Sequence, residues 1–383
     1  MILWENGVVI AALDGWSGVQ RLRVQTSRGE VRALAYTAMC GLAQPGDAVV
    51  LNANAQWRGL GTGGDAMVVH IPGREPEWNP GSGHMMKARY TPLQMMVDSV
   101  DDPASPHHST IARAQSVGGM PVVVADLHSS LAPIVLGVLD QRPDARIVYL
   151  LTDGAALPAW YSQALSSLRQ AGLVAGCISV GQAFGGDMEA VTVHSGLLAA
   201  REVWNADVAV VIQGPGNLGT GTGWGFSGVE AGEAINAAAV LNGRPVGTLR
   251  VSEADQRARH RGLSHHSVAA YGKVALAPAE LPVSQMPLAE HSIDGNSDFH
   301  ALIKKQLKML VENAAAPHRI VEVRSDGLLD VLRRSPIPLR TMGRDLDDDP
   351  MSFLYAALAG RRAAQLIDTP CEPAPGTSHD IPD

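Results

Sequence analysis

Cysteine is almost missing: Cys40, Cys177 and Cys371 are the only three in 383 residues, far apart and without a Cys-x-x-Cys pair. So sparse and odd a set excludes a disulfide framework and a thiolate zinc motif, and it fits a reducing cytosol. Lysine is scarce as well, confined to positions 87, 273, 304, 305 and 308. The arginine bias is explained more simply by a GC-rich genome than by phosphate recognition. Acidic residues outnumber basic ones, 38 to 30, for a formal charge of −8. Without a basic surplus, nonspecific nucleic-acid binding is not expected. Long apolar runs are also lacking. The stretch 131–139 contains Pro133 and falls short of the ~20 residues that span a bilayer. The N-terminus has no basic region and carries Glu5, so no signal peptide is expected. The expected setting is the cytoplasm, away from membranes. Aromatics are few, at 4%, and an Ala- and Gly-rich surface is compatible with a homodimer.

What is present is ordinary globular composition, 46% hydrophobic and 18% charged, with 40 Gly and 24 Pro marking many turns. The length leaves room for two or three domains at ~150 residues each. Residues 8–13, 19–26, 30–39, 47–53 and 66–71 read as short strands separated by Asp-Gly, Ser-Arg-Gly and Pro-Gly-Asp turns. Such spacing without a helix predicts a small antiparallel barrel over residues 1–73. A Pro/Gly linker follows, and from residue 84 to 367 the rhythm becomes strand-then-helix. The strands are read at PVVVADL (121–127), ARIVYLLT (145–152), CISV (177–180), ADVAVVIQ (206–213), GTLRVS (247–252) and KVALA (273–277). Continuous apolar strands alternating with helices predict an open α/β sheet, Rossmann-like and mostly parallel, with helices on its faces. Ser129 or Ser130 is a candidate N-cap for the helix after PVVVADL. The C-terminal part reads as mainly helical, with helices over 299–311 and 351–367 around a strand at 318–323. Residues 368–383 read as a disordered tail. The acidic run Asp345, Asp347, Asp348 and Asp349 precedes the last helix, where it would favour the helix dipole.

In an open α/β sheet, ligands bind beyond the carboxyl ends of the strands. That rule selects Asp126 and His128, then Thr152, Asp153 and Gly154, then Gln213 with the following glycine loop, then Glu253 and Asp255. The loop QGPGNLGTGTGWGFSG (213–228) is the richest stretch. Gly214, Gly216, Asn217, Gly219, Thr220, Gly221 and Thr222 could bring backbone N–H groups close to an anion. Gly214, Gly216 and Gly219 match G-x-G-x-x-G formally. However, the helix starts only near Gly228 and no acid follows at the dinucleotide spacing. A Walker A lysine is also absent. A flexible surface loop is the plain alternative, against which Trp224 and Phe226 argue. The second signal is RARHRGLSHHS (257–267). Here His260, His265 and His266 offer a base near neutrality or metal ligands, and Arg257, Arg259 and Arg261 offer planar forks for carboxylate or phosphate. On an extended chain His265 and His266 would point in opposite directions, so a metal site would have to recruit Asp126, His128 or Asp187. Capping and surface polarity are the alternative. His84 could line an interdomain crevice with Lys87 and Arg89. No G-x-S-x-G elbow occurs.

The segments ALAYTAMCGLAQPGDAVVLN, GLGTGGDAMVVH, GHMMKARYTPLQ, ADLHSSLAP, QGPGNLGTGTGWGFSGVEAGEA and GLSHHS together resemble a bacterial family catalogued as domain of unknown function 3866. The likeness covers roughly residues 1–367, and the family implies no established activity, cofactor or catalytic residue. The residues themselves point to a hydrolase or group transferase acting on a small anionic metabolite, phosphorylated or otherwise. His265 or His266 would be the acid–base group, with Asp126 and His128 orienting it or holding a divalent metal. Arg257 and Arg261 would neutralise the ligand at the glycine loop. A noncatalytic nucleotide or ligand sensor and an NAD(P)-dependent oxidoreductase are the alternatives.

Overall fold

The computed structural model describes residues 1–60, 63–79, 81–285 and 297–369. The tail expected at the C-terminus lies, from residue 370, outside the described residues. The chain forms two compact units, Met1–Gly81 with Trp160–Ser166, and Ser82–Ala159 with Ser167 onward.

In the first unit, β1 (Trp4–Trp16), β2 (Val19–Thr26), β3 (Gly29–Tyr36), β4 (Ala48–Asn52) and β5 (Ala66–His70) close a barrel in the order β1-β2-β3-β5-β4. Alternation drives it, with Val9, Leu22, Val24, Leu51, Val68 and Ile71 turned into one core. The barrel is not purely antiparallel as expected, for β3 and β5 pair in parallel. Residues 37–40, read as a continuation of β3, instead turn as a short helix, α1 (Thr37–Cys40). The chain then passes over the slot beside β3, pairs β4 with β1 and returns β5 into the gap. A second short helix, α2 (Asn54–Trp57), joins β4 to β5. The segment 160–166 adds Trp160, whose ring centroid lies 5.9 Å from that of Tyr36 and whose carbonyl accepts from Trp16 Nε1 at 2.6 Å.

The second unit opens with the hairpin β6 (Met85–Lys87) and β7 (Met95–Val97) and the helix α3 (His108–Arg113). Next come β8 (Pro121–Ala125), α4 (Leu131–Gln141), β9 (Ile147–Thr152), α5 (Gln163–Gln170, whose first four residues count with the first unit), β10 (Gly176–Val180) and β11 (Met188–Ala190). After them run α6 (Val193–Glu202), β12 (Val208–Gln213), α7 (Glu230–Val240) and β13 (Arg244–Gly247). A small hairpin, β14 (Val251–Ser252) with β15 (Gly262–Leu263), leads into α8 (His265–Ala269). The sheet is completed by β16 (Glu280–Ser284) and β17 (Arg319–Val323), with α9 (Ser297–Glu312) between them, and α10 (Leu328–Arg333) and α11 (Pro350–Leu366) end the fold. The eight strands lie in the order β11-β10-β9-β12-β8-β13-β16-β17, and every ladder is parallel. Each residue of β8, β9 and β12 is buried, as nearly continuous apolar runs under helices on both faces require. From β9 the chain moves outward one way to β11, and from β13 the other way to β17. Strand order therefore reverses across β12 and β8, and right-handed crossovers put α4 on one face and α6 and α7 on the other.

Two expected elements are corrected. KVALA is not a strand. Residues 270–274 continue α8 as a π-helical stretch, with Tyr271 buried under β8 and its hydroxyl donating to the Val124 and Thr248 carbonyls at 3.1 and 3.0 Å. Ser130 precedes α4 without capping it, and Ser129 Oγ instead donates to Thr341 Oγ1 at 3.0 Å. Helix α11 returns to pack on α4 at reciprocal glycines. A Cβ on Gly137 would lie 2.1 Å from the Ala357 carbonyl oxygen, and one on Gly360 would lie 2.0 Å from that of Ile134. Only glycine lets the two backbones touch there. Among the described residues, no helix is long and apolar enough to cross a membrane.

Candidate functional site

The strand-order reversal places the ends of β8, β12 and β13 beside one another. Asp126, the first residue past β8, is 4% exposed. Its carbonyl accepts from Gln213 Nε2 at the end of β12 (2.7 Å), while its carboxylate Oδ2 faces His266 Nδ1 at 3.1 Å and Arg250 at 3.5 Å. Burial pushes this carboxyl up, but the His266 hydrogen bond and the Arg250 charge outweigh it and hold it below the usual range. Arg250 NH1 also lies 2.8 Å from His266 Nδ1. One ring nitrogen cannot serve both neighbours. Protonated, Nδ1 donates to Asp126; bare, it accepts from Arg250.

The glycine loop is an ordered flap. Ser227 N donates to the Leu218 carbonyl (3.0 Å), Thr220 N to that of Gly225 (2.7 Å), and Gly225 N to Thr222 Oγ1 (3.0 Å). Gly216 has φ +90°, which a β-carbon would strain. At the other end, a Cβ on Gly228 would come 2.8 Å from Asp126 Cβ, so the loop re-enters the fold against the catalytic candidate itself. Phe226 stacks on His266 with centroids 3.8 Å apart and 5° between planes, and meets His265 edge-on at 5.7 Å. Among the described residues, the amides of Gly221 and Thr222 have no hydrogen-bond partner.

The histidines come from a second loop. The β14–β15 hairpin closes residues 253–261, and Asp255 braces it by pairing with Arg257 through Nε (2.9 Å) and NH2 (2.7 Å). That fork holds the Asp255 carboxyl far below its ordinary value. Ser264 is the N-cap of α8, accepting from His266 N at 3.2 Å. His265 and His266 therefore start a helix rather than extend, so they sit about 100° apart. This corrects the expectation that only one could reach a ligand, since both face the same cavity. His260 joins them, its Nδ1 2.8 Å from Ser264 Oγ. One ring nitrogen each of His260, His265 and His266 lies within 4.8 Å of the others. His265 Nε2 is buried with no hydrogen-bond partner among the described residues. Burial first, then Arg250, Arg257 and His266, pulls the His260 pKa down to about 3. Burial first, then His266, Arg259 and Arg250, pulls that of His265 down to about 4. Both rings are thus neutral at pH 7, with lone pairs available.

These elements enclose a cavity of about 230 Å³ lined by Leu127, Asn217, Leu218, Gly219, Gly221, Thr222, Phe226, Arg250, Arg257, Arg259, His260, His265, His266 and Met342. Of the residues singled out in the sequence, Asn217, Gly219, Gly221, Thr222, Phe226, Arg257, Arg259, His260, His265 and His266 line it, and Asp126 lies behind His266. Others do not reach it. Gly214 packs against the Ala156 backbone, and Gly216 and Thr220 lie outside the lining. Arg261 is exposed to solvent, turned away by the strand β15 that follows it. His128 lies beneath, with Nδ1 3.2 Å from the Gln213 carbonyl and 3.3 Å from Tyr149 Oη, and burial lowers its pKa to about 4. Thr152, Asp153 and Gly154 gather instead around Glu230, to which Thr152 Oγ1 donates. Lys87 belongs to no crevice: it is fully buried, donates to the Gly181 and Ala183 carbonyls at 2.7 Å each, and pairs with Glu189 at 3.3 Å. Asp349 is likewise interior, accepting from Ser252 Oγ (2.6 Å) and Arg344 Nε (3.2 Å).

Sequence reading missed Arg250. The pattern GTLRVS predicts a strand through Arg250, yet β13 stops at Gly247, which makes Arg250 a rim residue by the same strand-end rule. A search of curated proteins gave no match, and neither did a search of solved structures. The family profile described as "Protein of unknown function (DUF3866)" matches residues 32–360, most of the chain, and the protein belongs to that family.

Proposed function

We propose that this protein is a small-molecule enzyme, a hydrolase or group transferase, that takes an anionic ligand in the cavity under the glycine loop. The observation that carries the reading is one cavity lined by Arg250, Arg257 and Arg259, by Gly221 and Thr222 of the glycine loop, and by the neutral His265. Arginine forks beside the backbone of a glycine-rich loop suit an oxyanion such as phosphate or carboxylate. His265 is the acid–base candidate, because its buried Nε2 is uncommitted. Asp126 positions His266 rather than reacting, since its carboxylate is occupied by His266 and Arg250. At about 230 Å³ the cavity lies below the ~300–1,000 Å³ typical of larger ligands, which favours a compact metabolite over a dinucleotide. Cys40 and Cys177, both free and buried, suit a reducing cytoplasm.

The test is calorimetric titration with inorganic phosphate, followed by a turnover screen of phosphate and carboxylate esters. Arg259→Ala should abolish phosphate binding, and His265→Ala should remove turnover while leaving binding within a few-fold. No phosphate binding to the wild type defeats the anion reading; turnover that survives His265→Ala defeats the catalytic one.

A further inference from the structure

We propose that His260, His265 and His266 form a three-nitrogen site for a divalent transition-metal ion, with Asp126 and Ser264 orienting two of the rings from behind. The inference rests on the reading of this cavity as the working site and adds to it a metal that the arginine and glycine elements do not require; with the metal bound, His265 Nε2 is a ligand and not the acid–base group, so the His265→Ala test of that reading applies to the metal-free protein.

Three observations converge. The ligand nitrogens lie within 4.8 Å of one another, and tetrahedral zinc, with Zn–N of ~2.0–2.1 Å, would draw them to about 3.4 Å apart. Next, Nδ1 of two rings faces an outer oxygen, His260 toward Ser264 Oγ at 2.8 Å and His266, in the tautomer that donates to Asp126 rather than accepts from Arg250 NH1, toward Asp126 at 3.1 Å. A histidine that donates Nδ1–H to an outer oxygen presents its Nε2 lone pair, and the carboxylate behind His266 is the usual partner of a metal-bound imidazole. Third, His265 Nε2 is buried without a partner among the described residues, a loss of free energy that a metal bond removes. Arg259 Nε stands 3.4 Å from His260 Nε2, too long for a firm hydrogen bond; the metal takes that place and frees the guanidinium.

The donor chemistry narrows the ion. Neutral imidazoles without thiolate suit zinc, nickel, copper or ferrous iron. Three nitrogens rather than four ligands leave a position open to the cavity, the arrangement of catalytic rather than structural zinc. The surrounding charge adds a condition. Arg250, Arg257 and Arg259 face the site against the carboxylates of Asp126 and Asp255. A dication here is completed by an anion at the open position, so metal and anion should bind cooperatively and by the same factor in each direction.

The experiment uses the full chain without a polyhistidine tag, stripped with chelator and titrated with cobalt(II) as a spectroscopic probe. One cobalt per chain with intense visible bands of tetrahedral type is expected, and zinc should displace it. His260→Ala and His265→Ala should each weaken cobalt binding beyond the ~10–100-fold expected for Asp126→Asn, whose loss removes only an outer partner. His265→Gln replaces His265→Ala if that variant does not fold, as judged by the cooperative melting of the metal-free protein. Substoichiometric cobalt, or binding unchanged by both histidine substitutions, overturns the inference. Inorganic phosphate added to the metal-free protein separates the two readings. Phosphate binding without cobalt binding retains the anion pocket and removes the metal; cobalt binding without phosphate does the reverse. The expected result is that each tightens the other.

Discussion

Asp126→Asn, examined in a cycle with Arg250→Met, tests whether the site is held as an electrostatic unit. Asp126 is 4% exposed and the Arg250 side chain 10% exposed, so neither charge is well solvated. Removing one partner of a buried pair costs about 3–5 kcal/mol, because the other charge is left uncompensated. The low end applies here, near 3 kcal/mol, since the 3.5 Å pair opens onto a cavity and asparagine can still accept from His266. Removing Arg250 alone leaves Asp126 with the His266 hydrogen bond and should cost less, about 2 kcal/mol on the scale of a charged hydrogen bond. The double variant should lose less than the sum, with a coupling of ~1–3 kcal/mol for groups in direct contact. Urea unfolding of all four proteins at pH 7, with slopes held equal, gives the cycle. Additivity within about 0.5 kcal/mol would refute the claim that these charges act together.

Glu230 has its pKa raised to about 7 by burial first and then by Asp153 and Glu233, against the Thr152 hydrogen bond that lowers it. Its folded value thus exceeds the unfolded one. The associated stability is complete below pH 4.5 and is lost as pH rises through 7, some 3 kcal/mol for ~2.5 units. Glu230→Gln should remove that pH dependence; identical pH 5 to 8 stability profiles for variant and wild type would refute it. Gly360→Ala should destabilise by about 2–3 kcal/mol through overpacking against the Ile134 backbone, despite the ~1 kcal/mol that alanine gains in helix propensity, and a lowered melting temperature checks it. Lys87→Met should cost about 3–5 kcal/mol by leaving Glu189 without its buried counter-charge, and Lys87→Met/Glu189→Leu should recover most of that loss in urea melts.

The sheet was readable because β8, β9 and β12 are buried on both faces and so consist of nearly continuous apolar runs. The strand-end rule then found Asp126 and the glycine loop without any long-range contact being visible. What failed had local causes. KVALA is as apolar as a strand because Tyr271 carries the helix into the interior, and periodicity cannot separate the two over five residues. The direction of His265 and His266 depends on Ser264 acting as a helix cap, and a serine before two histidines suits an extended chain as well as a helix start. Arg250 was hidden by a strand boundary set too late. The parallel pairing of β3 with β5 is a matter of return order, which short strands alone do not encode. His128 satisfied the strand-end rule, yet its ring turns back under β12, a choice made by Tyr149 from a neighbouring strand.

The reciprocal glycines of α4 and α11 bind the first crossover of the α/β unit to its final helix. Helix α4 begins five residues after Asp126, and α11 starts beside Asp349, which accepts from Ser252 Oγ and the Glu253 amide on the way into the histidine loop. Synthesis delivers these parts in reverse order of need. The ribosome releases Asp126 long before the helix that wedges its crossover in place, and domains tend to consolidate from the N-terminus as they emerge. A nascent chain can therefore lay down its early strands while the cavity is still slack. Competence to bind anything there arrives late, as a property of the finished polypeptide.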